Sequence, residues 1–307
     1  MIENILATRN ISKKYGNKLA VTDVSMTVKK GDIYGLVGKN GAGKTTLIRM
    51  ALSLTSPTSG DFELFDANNE PDRIRMHTRV GCIVETPAFY PYLTAKENLE
   101  YYRIQRGIVD KNCVDEALKL VGLIDTGKKK FKGFSLGMKQ RLGLALAIMG
   151  SPDFLILDEP INGLDPMGIK EIRDLLLMLN RIRNTTILIS SHILGELSQL
   201  ATCYGFINNG KLVQEISAQE LDERCKHCVS IKVDDAESAA AILEEKLKCK
   251  DYEVLNNNLI KVYAYLDEPH VVNKALLNAG VMVSSLERVG SSLEEYFLEL
   301  VGGEKND

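Results

Sequence analysis

Gly38-Lys39-Asn40-Gly41-Ala42-Gly43-Lys44-Thr45-Thr46 places glycines at its first and sixth positions and follows them with lysine and threonine, the spacing of a phosphate-binding loop. The apolar run Ile33-Tyr34-Gly35-Leu36-Val37 before it predicts a short buried strand, and Thr46 to Leu52 after it predicts a helix. Glycines let successive backbone N–H groups turn toward one anion, and the helix N-terminus adds its partial positive charge beneath. The expected ligand is a nucleoside triphosphate, with Lys44 placed to reach the β- and γ-phosphates and the Thr45 hydroxyl placed to ligate Mg²⁺.

The 307 residues, 45% of them hydrophobic, suffice for one large domain and a smaller one. A net charge of -3 argues against a nucleic-acid partner, which calls for a basic excess on one face. The longest apolar stretch, Leu142 to Met149, falls far short of the roughly 20 residues that a membrane-spanning helix needs. The first residues, Met1-Ile2-Glu3-Asn4, lack the charged and apolar segments of a secretory signal, so a cytoplasmic chain is expected. Six scattered cysteines predict reduced thiols rather than a disulfide framework. Cys225-Lys226-His227-Cys228 has the spacing of half a zinc site, but the second pair of ligands is missing and a structural role is expected.

Residues 1 to 37 alternate short β-rich runs with turns, which predicts an antiparallel subdomain; Tyr15 sits just before the Gly16-Asn17 turn, where its ring is available for stacking on a base. Asp61 to Phe65 and Val80 to Val84 read as strands, and Pro87 stops the second so that Glu85 stands at its tip. Thr94-Ala95-Lys96-Glu97 is a capping box opening a helix to about Gln105, and a second helix is expected from Lys111 to Val121. Ser135 caps an apolar helix, whose N-terminus is a second anion-binding end. Phe154 to Leu157 predicts a central buried strand delivering the carboxylates of Asp158 and Glu159, and Thr185 to Ser191 another that ends at His192. Between them Asp165 and Pro166 occupy the cap and first position of a helix to about Arg183.

In this order, phosphate loop, capped helix, strand with Asp-Glu, Gly163-Leu164-Asp165-Pro166 and strand with His, residues 1 to 215 resemble the ATPase subunit of an ABC transporter, the nearest subtype being the bacterial bacitracin or lantibiotic export ATPases. The resemblance implies an α/β P-loop NTPase fold with a RecA-like core, an antiparallel β subdomain and a helical subdomain at about 86–150, the whole domain spanning 1–217. It implies that Tyr15 stacks on adenine, that Gly38, Lys39, Asn40, Gly41, Ala42, Gly43, Lys44, Thr45 and Thr46 hold the phosphates of ATP, and that Asp158 acts on Mg²⁺. Glu159 is then the general base for the attacking water and His192 the switch that hydrogen-bonds the γ-phosphate. Ser135 and Gly137 lie in the signature segment, which closes on nucleotide bound by the opposite subunit, so two nucleotide-binding domains, in a homodimer or a pair of subunits, are expected to sandwich ATP head to tail. The expected partner is a separate multi-spanning permease, with the chain peripheral at the cytoplasmic face of the membrane and no nucleic acid bound. Two departures stand out: Leu136 and Met138 replace the first glycine and the glutamine of Leu-Ser-Gly-Gly-Gln, and Glu85 stands for the glutamine that contacts the metal.

Beyond Gln214 the pattern changes. Val229 to Val233, Ala236 to Leu247, Tyr252 to Leu255, Leu259 to Tyr263, Glu268 to Leu277 and Val281 to Arg288 give β-α-β-β-α-β, a small α+β ferredoxin-like domain at 225–302 with an accessory or regulatory role. Asn256-Asn257-Asn258 is the expected hairpin turn, and Ser291 or Ser292 the cap of a closing helix over Leu293 to Leu300. The function expected is a transport motor exporting peptide antibiotics or other drugs. The alternatives are a non-transport relative acting on ribosomes or DNA, and a nucleotide switch or kinase using the phosphate loop alone.

Overall fold

The computed structural model describes residues 4–84, 88–225, 227–290 and 293–302. The chain divides into two compact units, Met1–Ala218 and Gln219–Asp307. In chain order the first unit contains strands β1 (Asn4–Tyr15), β2 (Lys18–Val24), β3 (Thr27–Lys29) and β4 (Ile33–Val37), helix α1 (Lys44–Ala51), strand β5 (Ser59–Leu64), helix α2 (Glu70–Met76) and strand β6 (Val80–Ile83). Helices α3 (Ala95–Gln105), α4 (Cys113–Leu120) and α5 (Leu136–Ile148) follow, then β7 (Phe154–Asp158), α6 (Pro166–Arg183) and β8 (Thr186–Ser191). The single turn α7 (Leu194–Leu197) leads to the hairpin of β9 (Cys203–Asn208) and β10 (Lys211–Ser217).

Every residue of β4, β7 and β8 is buried, as an unbroken apolar run covered on both faces requires. Among the described residues the larger sheet runs β10-β9-β4-β8-β7-β6, parallel from β9 to β6, with β10 antiparallel at its edge. Val37 pairs with Ser191, and Asp158 pairs with Ser190. The phosphate loop, Asp158-Glu159 and His192 therefore leave the sheet at one carboxyl edge, where open α/β sheets bind ligands.

The antiparallel subdomain is the sheet β2-β1-β3, with β5 paired to β1 as well. β1 runs for 12 residues, well beyond the Ile5 to Thr8 stretch expected from alternation. Register shifts at Ile11, Lys13 and Lys14 let it continue on β2 after its first half has paired with β3 and β5. The two-residue Gly16-Asn17 turn brings Lys18 opposite Tyr15. Leu47, Ile48 and Met50 of α1 fill the core between Ile5, Ile11 and Val21 of this sheet and Tyr34, Phe154 and Leu188 of the larger one. α3 opens on the Thr94–Glu97 capping box as its sequence predicts. α2 was not anticipated, because it buries none of its residues and so has no apolar stripe; its start is capped by Asn69.

In the second unit α8 (Ala218–Cys225) leads into β11 (Cys228–Val233), α9 (Ala236–Glu245), β12 (Tyr252–Leu255), β13 (Leu259–Val262), α10 (Pro269–Asn278), β14 (Val283–Val289) and α11 (Leu293–Gly302). The sheet order β12-β13-β11-β14 with every neighbour antiparallel is the ferredoxin-like arrangement. Val229, Ile231 and Val233 pack with Ala239, Leu243, Val272 and Leu276, a core of this unit's own. Asn257 and Asn258 take φ of 65° and 57°, the left-handed turn their side chains tolerate. Ser291 and Ser292, the expected caps of the closing helix, lie outside the described residues. All six cysteines are free, and among the described residues no three His, Cys, Asp or Glu side chains form a group that could hold a metal ion by themselves.

Tyr34 links three elements of the first unit. Its buried Oη donates to Glu215 Oε1 on β10 at 2.8 Å, and the Thr27 amide of β3 donates to the same oxygen at 3.1 Å. Burial first, and the Glu215 charge second, hold the phenol well above its ordinary value of 10.0. The folded state thus keeps this proton where the unfolded chain loses it, so the stabilisation is complete below that value and declines as pH rises above it. Tyr34→Phe is expected to cost about 1 kcal/mol in urea unfolding at neutral pH. The gap between variant and parent should shrink when the titration is repeated near pH ~10.5; an undiminished gap would show that the hydroxyl is not the group concerned.

Candidate nucleotide site

The loop 38–43 turns into α1 at Gly43, whose φ of 110° lies in the region open to glycine. A Cβ there would also stand 2.7 Å from the Ala20 carbonyl, so the backbone of β2 leaves no room for one. The loop is braced from behind: the Gly210 amide, in the β9–β10 turn, donates to Ala42 O at 2.9 Å, and the Thr22 amide donates to Gly210 O at 2.7 Å. The Lys44 side chain is only 5% exposed. Its ammonium donates to the carbonyls of Gly38 at 2.5 Å and Lys39 at 3.3 Å.

Across from the loop, the Thr45 hydroxyl donates to Asp158 Oδ2 at 2.7 Å, and the Ser190 hydroxyl donates to Asp158 Oδ1 at 2.6 Å. Glu159 follows with a φ of 49°, an uncommon conformation outside glycine, held by bonds from its amide to Ser190 O at 3.2 Å and Ser190 Oγ at 3.0 Å. That turn points the carboxylate back over the loop. Glu159 Oε1 lies 3.1 Å from the Lys44 ammonium, an ion pair without hydrogen-bond alignment, since this buried oxygen has no hydrogen-bond partner among the described residues. His192 Nδ1 lies 2.7 Å from Glu159 Oε2. The carboxylate is therefore held between an ammonium and an imidazole.

A cleft of about 490 Å³ opens beside these groups, lined by Tyr15, Asn40 to Thr46, Glu159 and the Asn209-Gly210 turn. The Tyr15 ring is exposed at its mouth, with Lys13 Nζ 5.2 Å from the ring centroid. A hydroxyl oxygen and a carboxylate oxygen already in contact form a hard-oxygen pair suited to Mg²⁺, and the buried Lys44 with the helix N-terminus suits phosphate. Thus Tyr15, the loop, Asp158, Glu159 and His192 come together as the sequence predicts. Ser135 and Gly137 do not line this cleft; Ser135 instead caps α5, accepting from the Met138 amide at 3.3 Å. Glu85 lies outside the described residues.

Ser190 was missed in sequence, although it anchors both Asp158 and the strained Glu159. Its strand reads as one buried run, so no alternation marks which hydroxyl faces the next strand. The bracing turn at Asn209-Gly210 was missed as well, because its contact with the loop spans more than 160 residues of chain.

Residues 21–162 match the ABC transporter domain family. The chain is 45% identical over 302 residues to a bacitracin transport ATP-binding protein of Bacillus licheniformis, covering 98% of this chain and 99% of that one. It is 41% identical over 211 residues to a lantibiotic transport ATP-binding protein of Streptococcus pyogenes, covering 69% and 90%. A solved dimeric bacterial ABC transporter cassette superposes with a TM-score of 0.63 at 24% identity, over 69% of this chain and 98% of that one, a likeness of fold. With near full-length relatives and the phosphate loop, paired acids and histidine meeting at one sheet edge, the chain belongs to the ATP-binding subunits of ABC transporters.

Proposed function

We propose that this chain is the motor subunit of an exporter of peptide antibiotics of the bacitracin or lantibiotic kind, coupling ATP hydrolysis to movement through a separate membrane-spanning permease. The observation that carries the ATPase reading is Glu159, aimed over the phosphate loop and held by His192 and Lys44 next to the Thr45–Asp158 pair. The names of the near full-length relatives support the cargo class. Among the described residues no helix is long and apolar enough to cross a membrane, which is consistent with the permease being another polypeptide.

Thr45 and Asp158 are the residues that would hold Mg²⁺, which supplies charge neutralisation for the phosphate oxygens. Lys44 and the amides at the start of α1 bind the phosphates, and the Tyr15 ring offers a face to adenine. Once phosphate oxygens compete for Lys44, the Glu159 carboxylate is released from its ion pair to accept a proton from the attacking water. His192, bonded to the other carboxylate oxygen, fixes the direction in which that proton is taken. The exposed N-terminus of α5, with Ser135 and Gly137, closes on the phosphates held by a second nucleotide-binding subunit, which accounts for its distance from the chain's own cleft.

Glu159→Gln should bind ATP with near-normal affinity, while turnover falls about 10²- to 10⁴-fold; normal turnover would remove Glu159 from the role of base. Ser190→Ala leaves Asp158 short of one donor and loosens the Glu159 backbone. It should lower kcat more than nucleotide affinity, by about 1–3 kcal/mol of activation free energy. Purification through this chain after mild detergent extraction should yield a multi-spanning membrane protein that changes its ATPase rate. Ribosomal or chromosomal partners alone would retain the ATPase and replace the transport reading.

A further inference from the structure

Leu136 occupies the place of a signature glycine, so its side chain is an addition whose surroundings matter. It is the first residue of α5 and is 54% exposed, yet its Cδ2 methyl lies 2.9 Å from where a Cβ on Gly163 would stand. One turn along the helix, Gln140 Nε2 donates to the Asn162 carbonyl at 2.5 Å. Leu164 turns its own Cδ2 toward Gly137, 3.3 Å from the place of a Cβ there. Residues four apart share a helix face, so one stripe at the start of α5 grips three consecutive residues of the loop 160–165. Gly163 passes beneath Leu136 with φ of +76°, which suits a residue that has no side chain.

The same loop is fastened to the site at its other side. The Asn162 amide donates to the Glu159 carbonyl at 3.2 Å, and Asp165 caps α6 through a bond from the Gly168 amide at 3.1 Å. An unbroken series of contacts therefore runs from the anion-facing end of α5, through Leu136 and Gly163, to the backbone of Glu159. Resting on the assignment of Glu159 as base, we propose that Leu136 is a positioning residue: its side chain, seated on Gly163, makes the loop and Glu159 follow the N-terminus of α5. The contact is apolar and short-ranged, so trimming the side chain loosens the loop at Gly163, leaving the Gln140 and Leu164 contacts in place, while the Ser135 cap and the buried Phe134 still hold the helix.

The test uses the full chain and MgATP, with kcat and the dissociation constant of a fluorescent ATP analogue read separately. Leu136→Gly is expected to lower kcat about fivefold or more while binding changes less than about twofold, and Leu136→Met, which keeps the volume, should retain most of the turnover. Gly163→Ala drives a methyl against Leu136 and should also lower kcat. In the pair Leu136→Gly with Gly163→Ala, the loss should be smaller than the product of the single losses by about threefold or more, as for residues in contact. Leu136→Ala replaces the glycine variant if that one fails to fold. Losses that multiply, or an unchanged kcat in Leu136→Gly, overturn the role of Leu136 while leaving the motor reading intact. A parent chain that hydrolyses no ATP, alone or with its membrane partner, removes both.

Discussion

The burial of the Lys44 ammonium is the constraint on which the rest of the site depends. An ionised amine this enclosed is costly unless it is surrounded by acceptors, and the chain supplies the Gly38 and Lys39 carbonyls from the loop and the Glu159 carboxylate from the neighbouring strand. Turning two carbonyls inward fixes the path of the loop. Bringing Glu159 to the third side requires β7 to end beside β4's neighbour β8, which the parallel order of the sheet provides. The left-handed backbone at Glu159 follows, and Ser190 is there to hold it. The cation proposed to meet the phosphates is thus already paired with the carboxylate proposed as the base.

Much of this was legible in sequence because the signals are local. An unbroken apolar run can be read as a buried strand, the Thr94 and Ser135 caps as helix starts, and the glycine spacing as an anion-binding turn. The β-α-β-β-α-β unit was legible for the same reason, since its hairpin turn announces itself through three asparagines. What stayed hidden depends on pairing between distant segments. Ser190 matters only because β8 lies in register with β7, and β1 is long only because bulges let it change partners. Leu136 could be seen as a departure from a pattern, but its contact with Gly163 is a product of the fold.

The two units rest on separate cores, which bears on how substitutions in them will act. The core around α1 joins both sheets of the first unit, so a cavity made at Ile48 or Met50 loosens the platform of the phosphate loop directly. The core around Val229, Ile231 and Leu243 belongs to the second unit alone.

The brace behind the phosphate loop has a consequence for biosynthesis. The loop sequence leaves the ribosome early, but the Gly210 amide that supports Ala42 and the Glu215 carboxylate that ties Tyr34 to Thr27 are among the last groups of the first unit to be translated. The bond from Tyr34 to Glu215 spans 181 residues, and at roughly 5–20 residues per second that interval is on the order of ten to forty seconds. Throughout it the loop sequence is present without the two long-range bonds that brace it and its strand. The brace behind Ala42 and the tie at Tyr34 are therefore late additions, made when the β9–β10 hairpin closes on the sheet edge.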